Sequence, residues 1–160
     1  MLIDLFKSYS SIIVFLHVIS AVIWVGGMIA IRFAIHYSMQ NIEDPKIKLS
    51  RTLENLKRFF NMVIPAIATL LITAIIMIIA LGFKGTELYS IVIFKEIIWS
   101  IMTIIFITIY IKRNKAQKAF DSGDFASAKN GLLPIATYFI PINIALGLIA
   151  IFLGITLRGF

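Results

Sequence analysis

The chain has 160 residues, 60% of them hydrophobic and 14% charged, with a mean hydropathy of +0.98. Soluble domains are about 45–50% apolar, so this composition excludes a soluble globular domain and predicts a membrane protein. A net charge of +7 would point to nucleic acid in a soluble chain, but here the cations are sorted by side of the membrane, and the absence of cysteine excludes disulfides and thiol chemistry.

A helix needs about 20 apolar residues to cross a bilayer. Four stretches qualify, at residues 11–39, 59–83, 88–111 and 132–157. They predict an all-α fold, an integral membrane four-helix bundle forming a single transmembrane domain over residues 1–160. The first stretch is too long for the apolar core of a cleavable signal, and only Lys7 precedes it.

The loop after the first span carries Lys46, Lys48, Arg51, Lys57 and Arg58. The loop after the third carries Lys112, Arg113, Lys115, Lys118 and Lys129, whereas the remaining segments hold Lys7, Lys84 and Arg158. The positive-inside rule makes the two rich loops cytoplasmic and both termini periplasmic. The basic excess is then a topology signal, with anionic lipid as its natural partner and no role for nucleic acid.

Asp44 followed by Pro45 is a helix-start pair. Ile47, Leu49, Leu53, Leu56 and the Phe59–Phe60 pair then recur among cations, which predicts an amphipathic extension leading into the second span. Pro65 predicts a mild kink, and Thr69 and Thr73, one turn apart, read as packing hydroxyls. Asp121, Ser122, Gly123 and Asp124 predict a turn between helical overhangs of the third and fourth spans. The fourth span has Pro134 and Pro141, then Asn143, Gly147, Ala150 and Gly154 at spacings that let helices approach closely.

Ionisable groups at the centre of a span cost about 2.5–3.5 kcal/mol on insertion scales, so His17, Arg32, His36 and Lys95 each need a reason. On a straight helix at about 100° per residue, Trp24 and Met28 fall within about 20° of His17, Gly27 flanks it, and Arg32 lies about 60° round. His36 is about 28 Å further along the axis, so one straight span cannot bring both histidines to one metal. Arg32 and His36 lie near the cytoplasmic face, where they either snorkel to headgroups or form a second polar site.

His17 and Lys95 share a layer about 9–10 Å in from the outer face. One reading has His17 bonded to a neighbouring hydroxyl and Lys95 snorkelling outward beside Glu96. The other has His17 as an axial ligand of haem iron, with Lys95 neutralising a propionate and Trp24 and Gly27 shaping the pocket. Copper is an alternative metal, with His17 and Met28 as stations about 16 Å apart on one face. A cofactor-free accessory subunit is a third possibility.

The stretch "LHVISAVIWVGGM", with His17 seven residues before Trp24 and then the Gly26–Gly27 pair, resembles the first helix of the copper-resistance-D-like (CopD-like) membrane domain and of the related HemJ-type proteins. Arg32 and His36 follow in the same order as in that family, and Lys95 is the matching third-span lysine. Ile31 stands where HemJ-type proteins carry proline, and the chain ends in Arg158, Gly159 and Phe160 rather than Lys-Pro-Phe. The resemblance implies a four-helix protein of the bacterial inner membrane that binds haem b and is associated with oxidation of protoporphyrinogen. Arg32 and His36 would then receive a porphyrin carboxylate or a proton. The copper-resistance-D side implies copper handling instead, and bundles of this size pair as homodimers.

Overall fold

The computed structural model describes residues 2–157; Arg158, Gly159 and Phe160, which entered the topology and the resemblance above, lie outside the described residues. It is all-helical, with four helices long and apolar enough to cross a membrane: α1 (Leu2–Gln40), α2 (Pro45–Leu81), α3 (Tyr89–Asp121) and α4 (Phe125–Thr156). Each is longer than the apolar stretch inside it. In α1 the excess precedes the span, and a break at Tyr9 (φ −128°, ψ 24°) sets it off.

Local chemistry accounts for the ends. The Asp44 carboxylate caps α2 by accepting from the Lys46 and Ile47 amides at 2.7 and 3.2 Å, with Pro45 at the first helical position. Gly82 closes the same helix at φ 61°, a left-handed conformation that costs glycine nothing. Asp124 caps α4 through the Ser127 amide at 3.0 Å. The predicted turn is present, with Gly123 at φ 83°.

α1 packs chiefly on α2 and α3 on α4, while α2 meets α3 and the middle of α1 meets α4, closing the bundle. Trp24, Met28, Leu53, Val63 and Ile135 are sealed in the core. Leu49, Leu53, Leu56 and Phe60 are the buried face of the amphipathic entry to α2, whereas Ile47, at its first turn, is exposed, and Pro65 sits inside one continuous helix.

The helices are not uniformly α. α1 opens into π turns at Val22–Gly26 and Ile31–Ile35, and α4 into another at Ile135–Phe139, between Pro134 and Pro141. Proline removes a backbone donor and crowds the preceding turn, which explains the last of these. A straight-helix projection therefore holds only as far as Ala21, and positions beyond each π turn are rotated from where it puts them.

Three of the four helix contacts are tied by a polar side chain. His17 joins α1 to α2 through Thr73, Arg113 joins α3 to α2 through the Leu53 carbonyl, and Asn143 joins α4 to α3 through the Met102 carbonyl. In surroundings that offer no water, such bonds fix which faces meet.

Candidate functional site

His17 lies half-buried where α1 faces α2, near the end of the bundle that carries the short loop between α2 and α3. Its Nδ1 is 2.9 Å from the Thr73 hydroxyl. That hydroxyl has one proton, and it donates to the Thr69 carbonyl at 2.7 Å, with the Leu70 carbonyl at 3.1 Å. Facing Nδ1, the Thr73 oxygen therefore accepts, which assigns the ring proton to Nδ1; the Leu70 backbone is a second hydrogen-bond partner of the ring. A histidine whose one nitrogen donates to a fixed partner has the tautomer and orientation that a metal ligand requires.

Lys95 is also half-buried, and it does not extend outward beside the exposed Glu96. Its ammonium rests on α4 at Gly154, where an added methyl group would lie 2.8 Å from Nζ. From there its charge acts on the His17 ring. The hydroxyl bond and the buried lysine thus combine elements of both readings of this layer. α1 supplies the imidazole, α2 its hydroxyl anchor, α3 the cation, and α4 a glycine that makes room for it.

The other residues singled out in α1 face elsewhere. Trp24 is buried in the core, its ring edge-on to Phe106 at 6.3 Å. Gly27 lies under Phe59, whose Cε2 stands 2.6 Å from where a methyl group at 27 would sit. Met28 is buried as well. For a haem, the donor chemistry fits at His17 and Lys95, while the flat surface at Trp24 and Gly27 is filled by Phe106 and Phe59. Among the described residues no three His, Asp or Glu side chains gather as a metal site.

Arg32 and His36 open onto different spaces. Arg32 lines a groove of about 300 Å³ between α1 and α4 with Phe33, Pro141 and Leu148. His36 accepts from Gln40 Nε2 at 3.3 Å and lines a larger cleft at the basic end of the bundle. Arg32 lies within the π turn Ile31–Ile35 and His36 follows it directly, and the Arg32 charge acts on the His36 ring.

Some contributors were not foreseen. Thr73 looked like any packing hydroxyl, and its distinguishing mark, a histidine at equal depth on another helix, is legible only once α1 and α2 are paired. Gly154 read as a small packing residue like Gly147, although only Gly154 faces a charge. Arg113 is indistinguishable in sequence from its lysine neighbours, yet it is 6% exposed and gives Nε and Nη2 to the Leu53 carbonyl at 3.3 and 2.8 Å.

Comparison with protein families, with curated proteins and with solved structures gives no significant match to this chain. The fold and composition define a helical bundle whose exposed surface is built for lipid.

Proposed function

We propose that the chain is a haem b-binding protein of the bacterial inner membrane, with His17 Nε2 as the axial ligand, both termini periplasmic and the two basic loops cytoplasmic. The observation that carries this reading is the Nδ1 bond to Thr73, because a histidine with one nitrogen anchored on a neighbouring helix is oriented as a metal ligand is. Lys95 supports it as a cation held beside the imidazole and available to a propionate. Bound haem supplies one-electron chemistry at iron. The chain's own residues supply an oriented nitrogen, a fixed charge and a lipid-sealed surround.

Oxidation of protoporphyrinogen is the associated activity, by the resemblance of the first helix to HemJ-type proteins. In that activity Arg32 and His36 are the groups at the basic side available to a porphyrin carboxylate or a proton, and the working unit is a homodimer.

The test is an oxidised and a dithionite-reduced absorption spectrum of detergent-purified protein from haem-replete cells, with haem and copper quantified together. A Soret peak with a sharpened reduced α-band, lost in His17→Ala and kept in His36→Ala, is expected. A colourless protein overturns the reading, and bound copper in its place moves the function to the copper-resistance-D alternative. Loss of the band in His36→Ala alone moves the ligand to the other histidine.

A further inference from the structure

At the basic end, α1 and α4 part around a cleft of about 750 Å³. Its floor is apolar, formed by Ile31, Ile35, Leu132, Ile135, Ala136 and Ile140, and its mouth carries Lys46, Lys48 and Lys129. The other polar groups there are His36, Glu43, Asp44, Thr52 and Asn55. Asp44 is committed to the α2 cap, and Asn55 points its amide to the Met39 sulfur at 3.9 Å.

Two features make this more than an unpartnered apolar face. The π turns Ile31–Ile35 and Ile135–Phe139 contribute to opposite walls, and the first finds its main contacts within α1 rather than on another helix. π turns in long helices gather at functional sites. The second feature is depth. From Lys129 to Ile140 the wall runs about 16 Å along α4, half of a hydrocarbon core about 30 Å thick, which is the depth of one leaflet.

We propose that this cleft holds one anionic phospholipid, its phosphate at Lys46, Lys48 and Lys129 and an acyl chain along the Ile31–Ile35 and Leu132–Ile140 walls. The charges favour a monoanionic head: with His36 neutral, three lysines against Glu43 and Asp44 leave one positive charge. Membrane depth, apolar length and residual charge each match a lipid such as phosphatidylglycerol in the leaflet at this end. The proposal does not depend on haem, since the cleft lies at the end of the bundle opposite His17.

The experiment is native mass spectrometry of the full chain in detergent, titrated with phosphatidylglycerol, phosphatidylethanolamine or phosphatidylcholine. One retained phosphatidylglycerol per chain is expected, with weaker retention of the other two. Lys46→Gln, Lys48→Gln and Lys129→Gln together should weaken it on the order of 100-fold, at about fivefold per lysine. Lys57→Gln, Lys115→Gln and Lys118→Gln, an equal charge change at exposed positions that do not line the cleft, should not. Equal loss in both variants, or equal retention of all three lipids, would overturn the proposal. A second measurement needs no variant: phosphatidylglycerol with a photoreactive acyl chain, in nanodiscs of wild-type protein, should label residues 31–42 and 132–140. Labelling spread evenly over the exposed helix faces would overturn it, as would a cleft that takes protoporphyrin and no lipid.

Discussion

The Lys95 ammonium sits against the α-carbon face of Gly154, closely enough that a single methyl group there would meet Nζ at 2.8 Å. Gly147, two turns earlier on the same helix, is as crowded, but by Val25 Cγ2 at 2.6 Å and the Met102 methyl at 3.2 Å. The two glycines therefore make room for different things, a movable chain end in one case and a stiff branched side chain in the other.

This difference predicts opposite outcomes for one substitution. Gly154→Ala lets the lysine swing aside and gains up to about 1 kcal/mol of helix propensity, so stability should hold or rise. Gly147→Ala must displace Val25, whose rotamer is restricted, and should cost about 1–3 kcal/mol. Unfolding of the two variants in mixed detergent micelles checks the ordering; equal stability would show that Val25 yields as easily as Lys95.

Thr73 offers a test of the imidazole's orientation that leaves the imidazole in place. Thr73→Val keeps the shape and removes the acceptor, so haem retention should fall about 10–100-fold, the usual cost of losing an outer hydrogen-bond partner. Thr73→Ser should retain binding. Haem titration followed at the Soret band measures both, and identical behaviour of the two variants would mean that the hydroxyl does not orient His17.

Arg113 is expected to be a stability determinant despite its place among solvent-facing lysines. Removing it strips both guanidinium bonds from the Leu53 carbonyl and one from Gln117. Arg113→Ala should cost about 2–3 kcal/mol, in the range for bonds to charged groups, and Lys115→Ala, at an exposed position, close to nothing. Denaturation monitored by circular dichroism distinguishes them.

Asp124 carries a local pH dependence. Its hydrogen bonding to Ser127 holds the carboxyl below the usual carboxylate range. The contribution of this cap is therefore fully present above the unfolded value of about 3.9 and is lost as pH falls through the lower folded value. The Ser127 amide resonance should follow that titration, and in Asp124→Asn the dependence should vanish.

How legible the molecule was differs by level. The helix count, the start at Asp44 and Pro45, the turn at Gly123 and the buried face of the α2 entry all follow from apolar length, capping and periodicity, which act within one segment. The site was legible only in its members. His17 and Lys95 stand out because charge is costly in lipid, but Thr73 and Gly154 acquire meaning only through a partner on another helix. The π turn itself was not legible for a local reason: Ile31–Ile35 has no proline or glycine to mark it.

The two π turns of α1 also bear on how this protein tolerates change in length. A π turn holds one residue more than an α turn, so deleting one residue within Ile31–Ile35 need not break the helix. It would restore the regular repeat and leave His36 facing nearly as it does now, because the turn with its extra residue sweeps about the same angle as the α turn that would replace it. In this helix one residue of length can be lost without a change of angle.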